Sequence, residues 1–119
     1  MYTTFKNGDV NMEEATRAFT IVSESMKAYM SDPKLYEEGD DDLPSFNNYG
    51  LSFDAVEDDD DRYYRYQICW GGPQYEIRFR HNQIEFVYLD WLVGVGFDIT
   101  NETWAQWLKD LFIDIGMMN

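Results

Sequence analysis

Three short runs of alternating polarity constrain this chain more than anything else in it. In residues 63–70, Tyr64, Tyr66, Ile68 and Trp70 alternate with Tyr63, Arg65, Gln67 and Cys69. In 74–80, Tyr75, Ile77 and Phe79 alternate with Gln74, Glu76, Arg78 and Arg80. In 84–89, Ile84, Phe86 and Tyr88 alternate with Glu85, Val87 and Leu89. A period of two is the strand period, because successive side chains point to opposite faces. Gly71-Gly72-Pro73 separates the first two runs and His81-Asn82 the second two, so 63–92 reads as an antiparallel meander. With His81 and Asn82 as a two-residue turn, Phe79 faces Ile84, Ile77 faces Phe86 and Tyr75 faces Tyr88. On the other side Arg78 faces Glu85, an ion pair, and Glu76 faces Val87. Apolar and charged pairs sort together in this register, and a slip of one residue destroys the sorting.

Helical periodicity flanks the meander. Met12, Ala15, Phe19, Val22, Met26 and Met30 fall on one face of a helix over 11–31. Asn11 is placed to cap it, with Glu14 three residues on for a capping box. Pro33 ends it, because the residue before a proline is pushed out of the α region. A short second helix follows, with Asp32 as N-cap, Pro33 first and Gly39 as its stop. Tyr49, Leu51 and Phe53 alternate with Gly50 and Ser52 as a short strand. Gly94 and Gly96 break the strand pattern. Thr100 or Asn101 then caps a helix over 101–116 with Trp104, Trp107, Leu108, Leu111, Phe112 and Ile115 as its stripe. The fold class is α+β: a meander of three to four strands with an N-terminal and a C-terminal helix packed on the sheet. Helices on both faces are an alternative, since Val87, Leu89 and Trp91 make the last strand apolar on its second side. The 119 residues suffice for a single domain, 1–119, with one core.

Charge is the second constraint. Of 23 carboxylates, eleven lie between Glu37 and Asp61 with no Lys or Arg among them. Glu37, Glu38, Asp40, Asp41 and Asp42 form one cluster; Asp54, Glu57, Asp58, Asp59, Asp60 and Asp61 form the other. They fall in an acidic segment, 36–62. A formal charge of −14 opposes compaction, yet 45% hydrophobic and 18% aromatic residues argue against disorder. The reading is an aromatic body bearing acidic, solvated loops. Nine scattered Lys and Arg make no basic footprint, so direct binding to nucleic acid is not expected. Nor is a membrane, since no stretch approaches the ~18 apolar residues of a span. The N-terminus MYTTFKNGDV has no apolar run, and one cysteine forms no intrachain disulfide, so a cytoplasmic protein is expected.

No residue set in the chain makes a reaction centre. His81, the only histidine, sits in a turn. Cys69 sits in a strand, so a Cys–His pair would need that turn residue as its base. Paired carboxylates serve glycoside hydrolysis at a fixed separation in a cleft, but here the acids run together. Asp58 and Asp60 offer oxygen ligands for calcium, yet an EF-hand loop counted from Asp58 meets Tyr63 and Cys69 where it needs Gly and Glu. Counted from Asp40 it meets Ser45 and Leu51. Gly71-Gly72-Pro73 lacks the lysine of a phosphate loop. Tyr64, Tyr66 and Trp70 are suited to stacking bases but have no basic groove beside them. The expectation is a protein that is not an enzyme and has no cofactor or metal.

The acids themselves remain. Duplex DNA carries a charge per ~1.7 Å of axis, and its binding proteins neutralise those phosphates with Lys and Arg. Carboxylates at similar density compete for the same groups. The two clusters flank one short strand; the sequence leaves open whether they join into one continuous strip and whether the scattered acids Asp90, Asp98, Glu102, Asp110 and Asp114 extend it. In its runs EEGDDD and EDDDD, its size and its charge, the chain resembles the small acidic anti-defence proteins of phages and mobile elements, the anti-CRISPR and anti-restriction DNA mimics. The resemblance implies stoichiometric inhibition of a basic, nucleic-acid-binding host defence complex, in the host cytoplasm if phage-encoded. It transfers no residue role position by position. The alternatives are an immunity or antitoxin protein that neutralises a basic nuclease, and a structural or adaptor protein whose acidic loops keep it soluble.

Overall fold

A computed structural model describes residues 2–119. The elements run β1 (Tyr2–Asn7), α1 (Met12–Ser31), α2 (Pro33–Glu38), α3 (Phe46–Tyr49), β2 (Ser52–Asp58), β3 (Asp61–Cys69), β4 (Gln74–Phe79), β5 (Ile84–Asp90), β6 (Val93–Asp98) and α4 (Thr103–Asp114). The strands form one antiparallel sheet in the order β1-β6-β5-β4-β3-β2. The fold is therefore α+β. The sheet has six strands, where the alternating runs alone predict three to four.

The register at the centre is the one read from the alternation. Phe79 pairs with Ile84, Ile77 with Phe86, Tyr75 with Tyr88, Arg78 with Glu85 and Glu76 with Val87. The backbone N–H of Arg80 donates to Gln83 O at 2.8 Å, closing a turn on His81 and Asn82. This register puts Tyr66, Ile77, Phe79, Ile84, Phe86, Tyr88, Val95 and Phe97 on one face, all buried. The helices cover that face. Phe19 of α1 meets Phe86 and Phe97 at 5.5 and 6.1 Å between ring centres, both edge-on. Phe112 of α4 meets Phe53, Tyr66 and Phe79 at 4.5, 5.1 and 5.7 Å. Phe46 of α3 stacks on Tyr36 of α2 at 4.9 Å and ties both short helices to the core.

The helix ends follow local chemistry. Asn11 caps α1 by accepting from Glu14 N–H at 3.1 Å. The Glu14 carboxylate does not return to Asn11; it accepts from Tyr88 Oη at 3.4 Å. Asp32 accepts from the backbone of Lys34 and Leu35, Pro33 is the first residue of α2, and Gly39 stops it at φ +74°. At α4 the expected cap is wrong. The N-cap is Glu102, and Thr100 instead binds Ile84 N–H and the Asp98 carboxylate.

Other expectations need correction. Tyr49 ends a helical turn, Leu51 is exposed, and the strand predicted over 49–53 is β2, running on to Asp58. Gly94 and Gly96 lie inside β6 and do not end the sheet. Phe5 of β1 crosses directly over them: a Cβ on Gly96 would stand 2.6 Å from the Phe5 ring, and one on Gly94 would stand 2.7 Å from Leu89. A strand glycine marks such a close approach as readily as a break. Phe5 and Leu89 thus cover the second apolar side of β5, and all four helices lie on the opposite face. Trp91 is not a strand residue but the first of a two-residue turn between Asp90 and Val93.

Gly96→Ala should overpack the β1–β6 contact and cost about 1–3 kcal/mol. Urea denaturation gives the loss. Amide exchange should show β1 losing protection before β4 and β5, and unchanged β1 protection would contradict this account of the glycines.

Candidate acidic interface

The acidic segment is structured rather than a pair of free loops. Glu37 and Glu38 form the last turn of α2. Asp40 accepts from Asp42 N–H and Leu43 N–H, both at 2.8 Å, which folds residues 40–43 into a tight turn. The turn is anchored below: the Tyr29 hydroxyl donates to Pro44 O at 2.6 Å. Burial, helped by Tyr49 and Asp40, pushes the Tyr29 pKa up to about 12. This first cluster belongs to the helical layer.

The second cluster is an edge hairpin. Asp58 pairs with Asp61, and Asp59 and Asp60 form the turn. Asp59 has φ +50°, a region aspartate tolerates better than most residues. Aspartate and glutamate are poor strand formers, yet β2 carries Asp54, Glu57 and Asp58. Cross-strand arginines compensate. Arg65 forks onto Asp54, its register partner, at 3.1 and 2.7 Å. Arg62 reaches Glu57 at 2.9 Å. Arg80 forks onto Asp61 at 3.0 and 2.9 Å and also reaches Glu85 at 2.7 Å. The Arg80 guanidinium holds the Asp61 carboxyl below the usual carboxylate range.

The Arg65 and Arg80 pairs belong to a ladder on the helix-free face of the sheet, whereas Arg62 and Glu57, in phase with Tyr64 and Ala55, lie on the helical side. Glu76 is 1% exposed and Glu85 4%, although no helix covers them. Long side chains do so instead. Arg78 binds Glu76 at 2.8 Å, Gln74 donates to the other Glu76 oxygen at 3.2 Å, and the Thr4 hydroxyl binds Glu85. The Tyr63 ring lies 4.9 and 4.8 Å from the Arg78 and Arg80 guanidinium carbons. The expected Arg78–Glu85 ion pair therefore exchanges partners: the register holds, but Arg78 turns to Glu76 and Arg80 takes Glu85.

The consequence is a division of charge. Each of the five arginines is in an ion pair. Of the eleven clustered acids, Asp54, Glu57 and Asp61 have arginine partners, which leaves eight; all eleven are exposed. Glu37, Glu38, Asp40, Asp41, Asp42, Asp58, Asp59 and Asp60 make no ion pair among the described residues. They fall into two groups. One is in the helical layer and one at the hairpin tip, with β2 running ~20 Å between its ends at the usual strand rise. Of the scattered acids, Asp98 is committed to Thr100, whose hydroxyl and N–H hold its carboxyl low. Asp110 and Asp114 are exposed on α4, and Asp90 and Glu102 are half-buried.

The candidate reactive residues are far apart. Cys69 ends β3 at one end of the sheet, and His81 turns between β4 and β5 at the other. Among the described residues no three His, Cys, Asp or Glu side chains are grouped to hold a metal ion. No described helix is long and apolar enough to cross a membrane.

Sequence reasoning missed one surface feature. Trp91 and Leu92 are 95% and 89% exposed at the tip of the β5–β6 turn, and Trp91 has φ +57°. Bulky residues rarely adopt that conformation. Neither Gly nor Asn marks the turn, so the apolar run through Leu89 reads on as strand. Trp70 and Leu51 are exposed at the same end of the sheet. Compared with protein-family models, with curated proteins and with solved structures, the chain matches none.

Arg80→Met should cost about 3 kcal/mol, because buried Glu85 loses its cation. Adding Glu85→Gln should recover most of it in urea denaturation. The same substitution tests the titration. With its folded pKa lowered, Asp61 favours the folded state above its unfolded value of ~3.9, and that gain is lost as pH falls through the folded value. Arg80→Met should remove this part of the acid dependence.

Proposed function

We propose that the protein is a stoichiometric inhibitor that occupies the nucleic-acid-binding surface of a basic host defence complex, of the anti-CRISPR or anti-restriction kind. One observation carries the reading: every arginine pairs with one of the protein's own carboxylates, while eight clustered carboxylates stand exposed and unpaired. Internal pairing on the sheet face lets a chain of −14 fold without neutralising its two acidic patches. Such a surface attracts a partner built to bind phosphates and speeds the encounter. The two patches suit a basic surface longer than the ~20 Å of β2. Trp91 and Leu92 add an apolar anchor of the kind that dominates interface energetics. No covalent chemistry is needed, and the partner is a protein rather than nucleic acid.

The first experiment is capture from host lysate at low salt, with identification of what elutes as salt rises. A nuclease toxin as the eluted species would place the protein among immunity factors, by the same electrostatics. Affinity for the recovered partner is then measured against salt. Asp58→Asn, Asp59→Asn and Asp60→Asn together spare the Arg80-bound Asp61. Glu37→Gln, Glu38→Gln, Asp41→Asn and Asp42→Asn spare the turn made by Asp40. Each set should leave stability within about 0.5 kcal/mol, weaken binding most at low salt, and flatten the salt dependence. Unchanged affinity and slope with both sets combined would refute the mimic.

Trp91→Gly should behave differently. Relief of the left-handed backbone, ~1–2 kcal/mol for an ordinary residue, offsets the entropy glycine adds to the unfolded chain. Stability should hold or rise. Partner affinity should fall by about 2 kcal/mol, equally at low and high salt.

A further inference from the structure

A second site lies on the helical side of the sheet. α4 has 12 residues, about 18 Å of helix at 1.5 Å each. β3 has nine residues, ~30 Å of strand at ~3.3 Å each. The helix is too short to cover the β2–β3 hairpin, and its last turns leave the inner side of the tip open. The result is a cleft of about 640 Å³. That volume falls within the ~300–1,000 Å³ typical of small-molecule sites. Tyr64 and Phe79 line it from the sheet, Ala55 from β2, and Ile113 and Met118 from the chain around the end of α4.

Its lining carries more cationic than acidic side chains, unlike the chain as a whole. The chain has 23 acids against nine Lys and Arg and one His. The cleft is lined by Arg62, Arg80 and Lys109 against one acid, Glu57. Arg80 is committed to Asp61 and Glu85. Lys109 makes no ion pair among the described residues. Arg62 is held only by Glu57, in a pair whose side chains are 77% and 65% exposed. Pairs that open to water contribute little, so Arg62 is free to turn to another anion. An apolar floor with two available cations at its rim selects a particular ligand chemistry. A neutral apolar molecule would leave the cations unused, and an organic cation would meet them directly. The acids of the hairpin tip and of α4 act on a bound anion mainly through water, where salt screens them over ~8 Å.

We propose that this cleft binds a small amphipathic organic anion, its apolar body on Ala55, Tyr64 and Ile113 and its anionic head on Lys109 and Arg62. The site is independent of the acidic patches and stands or falls without them.

Dodecanoate and 8-anilinonaphthalene-1-sulfonate are the probes, titrated into the folded protein and followed by amide chemical shifts, with fluorescence for the second. The expected result is saturable one-site binding, with shifts centred on Ala55, Tyr64, Phe79, Lys109 and Ile113. Dodecanol, with the same chain and no charge, should bind about tenfold more weakly, as should dodecanoate to Lys109→Glu. Lys27→Glu, the same charge change at an exposed position on α1, should leave binding unchanged. A urea midpoint for each variant separates loss of the site from loss of the fold, and Lys109→Gln serves as the milder variant if the charge reversal unfolds the chain. No saturation by about 1 mM ligand, equal binding of dodecanol, equal loss with Lys27→Glu, or dodecanoate affinity unchanged in the folded Lys109 variant would each overturn the proposal.

Discussion

The register between β4 and β5 is the constraint on which the rest of the molecule depends. It places Ile77, Phe79, Ile84 and Phe86 under the helices and Glu76, Arg78 and Glu85 on the open face. A slip of one residue would bury the charges beneath α1 and α4 and expose the aromatic rings. Neighbouring strands inherit the sorting. β3 aligns Tyr64 and Tyr66 with Phe79 and Ile77, and Arg65 with Arg78. That last pair sets two like charges opposite each other, which is tolerable only because Asp54 and Glu76 each take one of them.

The same sorting decides the surface. Arginines on the open face find carboxylates within the sheet, and two of those carboxylates are buried under the side chains that bind them. Buried ion pairs are weak evidence for stability, since desolvation offsets attraction. Their value here lies in specifying register and in using up positive charge. What remains outside is acidic at α2 and at the hairpin tip, and apolar at the opposite end of the sheet, where Trp91 protrudes. A partner that meets both kinds of surface would gain encounter rate from the first and residence time from the second.

Much of this was legible in the residues. The central hairpin, α1 with its Asn11 cap, and α2 between Asp32 and Gly39 follow from periodicity and local hydrogen bonding. What was hidden depends on contacts distant in sequence. β1 and β6 are recognisable only once Phe5 is known to lie over Gly94 and Gly96, some ninety residues along the chain. β2 is acidic enough to read as loop, and its strand character comes from Arg62 and Arg65 across the hairpin. The turn at Trp91 lacks turn residues altogether. The acids could be read as exposed from their runs. Which of them remain unpaired could not, because Arg80 chooses Asp61 and Glu85 through the sheet and not through the sequence.

We propose that this surface takes the place of nucleic acid on its partner. The most direct measurement is competition. Labelled duplex DNA is bound to the recovered partner, and the protein is titrated in at physiological salt. The account predicts that DNA is released in step with one equivalent of protein, and that excess DNA reverses the displacement. A ternary complex in which the partner holds DNA with unchanged affinity while the protein is also bound would contradict it.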